Sequence, residues 1–178
     1  MTTTQASTVT NLIDAAKLGF GLAEALAKDI PADRFARQLS VDGKPVNANH
    51  PAYCYGHLAI YPIRIIGFLG GDGDSVAAPE HWNDLFKMGA ECHDDPDGSI
   101  YPAKDELVER VRSGYGAVLE QLAVTDESLF AQPFPDEKMR ERFPTIGMTV
   151  TFMLTSHFMF HLGQVSTWRR CMGLGPVM

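Results

Sequence analysis

Cysteine is scarce in this sequence, and the spacings that usually give cysteine a function are missing. The chain has three cysteines, Cys54, Cys92 and Cys171, which are an odd number and form no CxxC pair, so a disulfide framework is not expected. The opening residues, MTTTQASTVT, contain neither a basic stretch nor an apolar run, which argues against a secretory signal. We therefore expect free thiols and a cytoplasmic protein.

Basic residues are also in deficit. The chain has 15 Lys and Arg residues and 22 Asp and Glu residues, which gives a net charge of −7 and a pI near 5.3. Proteins that bind nucleic acid without sequence preference need a surplus of Lys and Arg on one face. The single basic doublet, Arg169-Arg170, fits the C-terminal end of a helix, where cations favour the helix dipole. Nucleic acid is therefore not an expected partner.

Uninterrupted apolar runs of membrane-spanning length are absent as well. The two most apolar stretches, residues 58–70 and 146–165, are broken by Arg64 and by His157 and His161, whereas a membrane helix needs about 20 apolar residues. A membrane partner is not expected. The 178 residues, 45% hydrophobic and 21% charged, are instead typical of one globular domain spanning residues 1–178.

The familiar catalytic motifs are missing too. The sequence has no nucleophile elbow, no phosphate-binding glycine loop and no dinucleotide-binding fingerprint. No catalytic residue can therefore be named from a motif.

What the sequence does contain is helical periodicity, which predicts four long helices. Their approximate spans are residues 10–28, 49–70, 104–123 and 144–172. Thr10 and Asn49 are the predicted N-caps, and Pro62 should kink the second helix or split it in two. The connections are long, and the one between helices two and three holds a short helical candidate at about residues 79–88.

The fourth predicted helix has more apolar surface than a bundle helix needs. Its inward stripe has helical spacing and consists of Val150, Leu154, His157, His161, Gln164 and Trp168. Phe158, Met159, Phe160 and Leu162 cover other faces. The surplus predicts burial against a second copy of the chain, a homodimer. The alternative is that the long connections cover this face.

Two histidines on that stripe form a candidate metal-binding pair. His157 and His161 are four positions apart, so both rings leave one helix face one turn apart. Two imidazoles at this spacing can reach one cation at about 2.0–2.1 Å each, as in helical zinc sites. Buried imidazoles need partners because a polar group without hydrogen bonds is costly to bury.

His57 is the best candidate for a third ligand, since it lies inside the second predicted helix. Tyr53 and Tyr61 flank it at four positions on either side, and this column would line a pocket. Core histidines bonded to a tyrosine hydroxyl are common, so that alternative stays open. Cys54 is a weaker rival ligand and fits a small buried side chain better. Gln164, next to His161, is a candidate for orienting a substrate or capping a carbonyl.

The other histidines fit structural roles. His50 is expected at the surface or capping a helix, and His81 lies in the long connection. His93 belongs to the acidic stretch 91–98, which does not match a calcium loop because Ile100 occupies the position that needs glycine. A solvated turn is the better interpretation, with a lid over the pocket as a second role.

With these residues in place, the sequence resembles a known family. Residues 157–164 (HFMFHLGQ), followed by 168–170 (WRR) and 173–176 (GLGP), resemble the last helix of the DinB-like superfamily. Residues 56–58 (GHL) resemble its histidine-bearing second helix. In layout the likeness covers essentially the whole chain.

The resemblance implies an all-α four-helix bundle with up-down-down-up connectivity, usually a homodimer. It implies one divalent metal held by His57, His157 and His161, with zinc or nickel expected and iron or manganese as alternatives. Members of the superfamily include enzymes that transfer low-molecular-weight thiols to electrophiles, and the resemblance implies such a transferase or a related hydrolase. The positions of Tyr53, Tyr61 and Gln164 make them the candidates for its substrate pocket. The alternative is a non-catalytic dimeric metal-binding bundle of stress-response type.

Overall fold

The protein is mostly helical in the computed structural model, which describes residues 7–177. The helices are α1 (Thr8–Lys28), α2 (Pro51–Ala59), α3 (Pro62–Phe68), α4 (Trp82–Phe86), α5 (Lys104–Val124), α6 (Ile146–Phe152) and α7 (Phe158–Cys171). Within the described part, the only sheet is an antiparallel pair, β1 (Ser40–Val41) and β2 (Lys44–Pro45). Short 3₁₀ turns occupy parts of the remaining connections. The all-α expectation is confirmed.

The first helix begins two residues before the predicted start. Ser7, not Thr10, is the N-cap, because its hydroxyl accepts a hydrogen bond from the Thr10 amide at 3.1 Å. The hydroxyl of Thr10 then contacts that of Ser7 at 3.1 Å. Both residues are good caps, and only the backbone geometry decides between them. The buried face of α1 includes Leu12, Ala16 and Leu26.

The second predicted helix is divided in two, as Pro62 requires. α2 ends at Ala59, and α3 starts at Pro62, because proline cannot donate the backbone hydrogen bond that a continuous helix needs. The predicted cap was wrong by one residue: His50 Nδ1, rather than Asn49, accepts the Tyr53 amide at 3.2 Å. All nine residues of α2 are buried, so α2 is the central helix.

The third predicted helix is confirmed as α5. Leu107, Val111, Val118 and Leu122 recur at helical spacing and are buried, because apolar residues at this spacing share one face. That face packs against α1, α2 and α3. α5 therefore forms one side of the core.

The last predicted helix contains an irregularity that its sequence does not indicate. α6 and α7 are joined without a break by a π-helical segment, Met153–His157. A π segment inserts one extra residue into the turn, and such bulges are frequent at functional sites. His157 is the last residue of this segment, and His161 follows one regular turn later in α7.

The surplus apolar side chains of the last helix divide into two sets. Phe158 and Leu162, predicted on outer faces, are core residues that are at most 1% exposed. Phe158 packs edge-on against Tyr115 of α5, with ring centroids 4.7 Å apart. Met159 and Phe160 are exposed over 44% and 64% of their surface. The extra apolar surface is thus real but smaller than the sequence predicts.

The connections are more ordered than the sequence predicts. Asp42 and Gly43 form the turn of the β1–β2 hairpin with φ values of 51° and 73°, the left-handed geometry that two-residue hairpins favour. The predicted helix at residues 79–88 is shorter, covering only Trp82–Phe86. In the stretch 91–98, Asp95 is 3% exposed and accepts backbone hydrogen bonds, so a purely solvated turn was wrong.

Arg169 fastens the end of α7 to the end of α1. Its guanidinium is 1% exposed, donates to the Leu26 carbonyl at 2.8 Å and pairs with the Asp29 carboxylate. Next to it, Trp168 Nε1 donates to the Arg37 carbonyl at 2.8 Å. The basic doublet thus does more than complement a helix dipole, because its first arginine is a buried tether.

None of the helices in the described residues combines the length and the hydropathy that a bilayer crossing requires.

Candidate metal centre

The three predicted histidines come together. His57 from α2 meets His157 and His161 from the last helix, and each offers one ring nitrogen within 4.8 Å of the others. His57 Nε2 and His157 Nε2 are 3.1 Å apart. Zinc–nitrogen bonds of about 2.0–2.1 Å in tetrahedral geometry place two such nitrogens about 3.3 Å apart. The cluster therefore has the spacing of a metal-ligand set.

His57 is anchored from behind. Its Nδ1 donates to the Phe86 carbonyl at 2.6 Å, and because a carbonyl oxygen only accepts, this nitrogen carries the ring proton. Nε2 is then unprotonated and points toward His157. Gly56 makes the anchor possible, since a Cβ at this position would overlap the buried Phe86 ring. The glycine lets α4 approach α2 closely enough for its carbonyl to reach the imidazole.

His161 has an equivalent anchor. Its Nδ1 is 3.2 Å from Gln164 Oε1, which also accepts hydrogen bonds from Asn49 Nδ2 at 3.1 Å and from Cys54 Sγ at 3.4 Å. Three donors converge on one amide oxygen, so the orientation of the Gln164 amide is determined and His161 Nδ1 carries the ring proton. Fixing the remote nitrogen in this way is how proteins orient metal-ligating histidines.

His157 differs from the other two. Its Nδ1 is buried and has no hydrogen-bond partner within the described part of the chain, whereas its Nε2 faces His57. A buried polar nitrogen without a partner is costly. A cation shared by the three Nε2 atoms would fit this arrangement, because metal–ligand bonds would replace the direct contact between the Nε2 atoms of His57 and His157. Nδ1 of His157 would keep its proton and would still have no partner among the described residues. The residues present fit a divalent metal.

All three imidazoles are held neutral, which is the form that binds metals. Burial, followed by the neighbouring His161 and His57, lowers the pKa of His157 to about 3. Burial, aided by His57, lowers the pKa of His161 to about 4, although the Gln164 hydrogen bond opposes this. Burial also lowers the pKa of His57, against the effect of the Phe86 carbonyl. A metal can therefore bind at neutral pH without first displacing a proton from an imidazolium ring.

Aromatic rings surround the cluster. The Tyr61 ring lies 5.0 Å from the rings of both His57 and His157, and Phe152 lies 5.8 Å from His157. Tyr61, Phe152 and His157 are partly exposed, while His57 and His161 are buried. The cluster consequently faces solvent on the side of His157.

The two predicted tyrosines occupy different positions. Tyr53 is buried, its ring stacks on His57 at 6.2 Å, and its hydroxyl donates to the Ala90 carbonyl at 2.8 Å. This bond holds the connection after α4 against α2. The hydroxyl of Tyr61 makes no hydrogen bond within residues 7–177, so it is free to donate. The prediction that both line a substrate pocket stays a prediction, and Tyr61 has the available hydroxyl.

Gln164 also borders a groove on the protein surface. This groove has a volume of about 460 Å³ and is lined in part by Asn47, Asn49, Phe160, Gly163 and Gln164. That volume lies within the range of about 300–1,000 Å³ typical of small-molecule sites. A Cβ at Gly163 would meet nothing within 4 Å. The groove thus adjoins the hydrogen bonds that orient His161.

The remaining histidines and thiols lie outside the ligand set. His50, expected at the surface or as a cap, is a cap but is fully buried, and its Nε2 donates to the His93 carbonyl at 2.8 Å. Cys54 is buried as predicted, and burial, followed by the nearby Cys92, raises the pKa of its thiol. A buried neutral thiol bonded to Gln164 is not a reactive nucleophile.

Sequence reasoning missed three parts of the site. The Phe86 carbonyl that anchors His57 comes from backbone, which carries no sequence signal, although Gly56 beside His57 was a clue to a close approach. Phe152 was missed because the π segment changes which side chains share a face with His157. Asn49, considered only as a cap, instead donates to Gln164.

Together, the fold and this cluster define an all-helical protein with a candidate three-histidine metal centre. No protein-family model and no curated protein matches the chain. The functional argument therefore depends on the geometry of the site.

Proposed function

We propose that this protein is a metal-dependent enzyme of the DinB-like superfamily that joins a low-molecular-weight thiol to an electrophile, or catalyses a related hydrolysis. The observation that carries the proposal is the convergence of three imidazoles, of which His57 and His161 have their Nδ1 atoms anchored and their Nε2 atoms free. Zinc or nickel is the expected metal, and iron or manganese is the alternative.

The architecture that goes with this proposal is a four-helix bundle with up-down-down-up connectivity. Its support is the mutual packing of four units: α1, the α2–α3 pair, α5, and the α6–α7 pair. The connection from α3 to α5 runs from residue 69 to residue 103, long enough to return along the bundle so that these two helices run parallel.

Three protein ligands leave open coordination positions, which is the arrangement of catalytic rather than structural sites. When bound, the cation supplies the acidity that makes a water or a thiol beside it a nucleophile near neutral pH. His57, His157 and His161 hold it, and the neutrality of their rings spares any proton loss.

The surrounding residues position the reactants in this proposal. Tyr61 has a free hydroxyl beside His57 and His157 and donates a hydrogen bond to a substrate oxygen. Gln164 keeps the His161 ring in one orientation, and Tyr53 stacks behind His57. The groove bordered by Gly163 and Gln164 accommodates the body of the substrate.

We further propose a homodimer formed through the exposed apolar side chains of α7. Met159 and Phe160 are neighbours on the outer face of this helix and expose 44% and 64% of their surface. Exposed apolar side chains next to one another favour association. Light scattering of the wild type and of a Phe160→Ser variant tests this assignment.

One observation favours a non-catalytic metal-binding bundle as the second candidate. The residues that can reach a shared metal are histidines alone, and no carboxylate of residues 7–177 joins them. A general base is therefore not at hand, and in that case the metal serves stability or sensing. Chelation would then lower the melting temperature or loosen the dimer without an activity to lose.

Elemental analysis combined with a conjugation assay tests the proposal. Tag-free wild-type protein should carry about one zinc or nickel ion per chain, and His57→Ala should lose it. His81→Ala, a substitution at an exposed histidine outside the cluster, is the matched control. Metal-loaded protein should accelerate conjugation of a small thiol to a chromogenic electrophile. Metal binding without any rate, over a panel of thiols and esters, would leave the second candidate.

A further inference from the structure

The histidine cluster opens to solvent through a rim of two aromatic rings. Tyr61 packs on His57 and His157, and Phe152 packs on His157. Both rings are partly exposed, as is His157, whereas His57 and His161 are at most 6% exposed. A molecule that reaches the cluster from this side therefore passes Tyr61 and Phe152.

An arginine guanidinium lies over each of these two rings. Arg64 Cζ lies 5.6 Å from the centre of the Tyr61 ring. Arg142 Cζ lies 5.9 Å from the centre of the Phe152 ring and 5.2 Å from that of Phe143. At such distances an arginine is attracted to the face of an aromatic ring. Each guanidinium thus contacts an aromatic ring that in turn contacts His157.

These two arginines are the ones with no partner of their own. Seven other arginine side chains hydrogen-bond to the protein: Arg34, Arg37, Arg110, Arg112, Arg140, Arg169 and Arg170. The side chains of Arg64 and Arg142 make no hydrogen bond or ion pair with any residue between 7 and 177, and both are exposed. In an acidic chain, the two unpaired guanidinium groups both belong to the rim of the histidine cluster.

Arg64 and Arg142 come from two separate parts of the fold that meet at this rim. Arg64 is in α3, and Arg142 lies four residues before α6, while α3 and α6 contact one another. The Tyr61 side chain, over whose ring the Arg64 guanidinium lies, belongs to the same rim. Two cations and a free hydroxyl together match a carboxylate or phosphate group, which arginine binds through its planar fork.

We infer that the molecule acted on at the histidine cluster carries a carboxylate or phosphate group, bound by Arg64 and Arg142 at the cluster's mouth. The inference rests on the proposed function, since it names the class of its substrate. Arg64 and Arg142 are specificity-determining residues in this assignment: they select the anionic substrate and leave the metal ligands undisturbed.

Thiol binding to cobalt(II)-loaded protein tests the inference, because a thiol that joins the cobalt produces a charge-transfer absorption band. 3-Mercaptopropionate carries a carboxylate, and 2-mercaptoethanol is its neutral counterpart. Wild-type protein should bind the charged thiol about tenfold more tightly at low salt, and the Arg64→Gln/Arg142→Gln double variant should bind both alike. The Arg112→Gln/Arg170→Gln double variant removes the same charge elsewhere and should keep the preference.

Two competitors distinguish the source of the anionic group. If the natural substrate is a phosphate, inorganic phosphate should displace 3-mercaptopropionate from the wild type more effectively than acetate does. If it is a carboxylate, the order should be reversed. In either case the competition should disappear in the Arg64→Gln/Arg142→Gln variant, and competition that persists there overturns the inference.

Failure of the inference can be told from failure of the proposed function. Equal affinity of the wild type for both thiols, unchanged in the double variant, overturns the role of the arginines and leaves the metal site standing. If neither thiol gives the band in protein that contains cobalt, the metal is closed to thiols and the proposed transferase fails as well. Cobalt content and circular dichroism of every variant establish that folding and metal loading are intact.

Discussion

The oxygen Oε1 of Gln164 accepts a hydrogen bond from Nδ1 of His161 at 3.2 Å, and this contact decides which nitrogen of His161 can bind a metal. The same oxygen accepts from Asn49 and Cys54, so its position does not depend on His161 alone. Supporting groups of this kind affect metal affinity almost as much as the ligands themselves.

Replacing Gln164 by leucine should therefore weaken metal binding. The variant leaves His161 Nδ1 without its acceptor and the ring free to turn, so zinc affinity should fall by about 10- to 100-fold. Competition with a chromophoric chelator measures this. Gln164→Glu keeps an acceptor and should retain the affinity, while Asn49→Ala leaves the bond to His161 intact. Equal zinc affinities of wild type and Gln164→Leu would refute the orienting role.

Gly56→Ala should disturb both the fold and the metal site. The new Cβ overlaps the ring of Phe86, which is fully buried and held by Trp82 and Tyr53, so α4 must shift. Overpacking of this kind costs about 1–3 kcal/mol of unfolding free energy, measurable by urea denaturation. The shift also withdraws the Phe86 carbonyl from His57.

The matched control for this substitution is Gly67→Ala in α3, where a Cβ meets nothing within 4 Å. Its unfolding free energy should stay within about 1 kcal/mol of the wild-type value or rise. Zinc affinity should drop in Gly56→Ala and not in Gly67→Ala. A pair of variants with equal zinc affinity would contradict the coupling of Gly56 to His57.

His50 should make the protein less stable in mild acid. Burial lowers its pKa to about 4, against the effect of the His93 carbonyl, from an ordinary value of 6.5. Between these values the unfolded chain binds a proton that the folded chain does not, so unfolding free energy falls as pH falls from 6.5 to about 4. One such group contributes a slope of about 1.4 kcal/mol per pH unit.

His50→Asn keeps a capping side chain and removes this proton. Urea unfolding between pH 4.5 and 8, with a chelator present so that both proteins are metal-free, should give a shallower pH dependence for the variant. As the pH rises toward 8, the difference in unfolding free energy between the two proteins should become constant. Parallel curves throughout the range would show that His50 titrates alike in both states.

Gly163→Leu should block the groove without harming the fold. The glycine is exposed on α7 and a side chain there meets no protein atom, while leucine is the better helix former by up to about 1 kcal/mol. The melting temperature should hold or rise, and the KM for the electrophile in the conjugation assay should increase several-fold. Gly21→Leu makes the same exchange on the exposed side of α1 and should leave KM unchanged. An unchanged KM in Gly163→Leu means that the substrate lies elsewhere.

Helical periodicity was enough to predict the long helices, because the stripe of α5 and the break at Pro62 are local properties of the chain. The spacing of His157 and His161 predicted a shared face, and the structure brings His57 to it. What could not be predicted includes a tertiary contact, the Phe86 carbonyl that anchors His57 from another helix. The π segment and the choice of Ser7 and His50 as caps follow from backbone geometry that residue type alone does not specify.

The tether of Arg169 to Asp29 and the bond from Trp168 to Arg37 have a kinetic consequence. These contacts join residues that are 140 and 131 positions apart. They attach the C-terminal end of α7, where a helix would normally fray, to the N-terminal part of the chain. Its amide protons should therefore exchange only through global unfolding rather than by local opening. The C-terminal part of α7 should thus stay ordered whether or not His157 and His161 hold a metal ion.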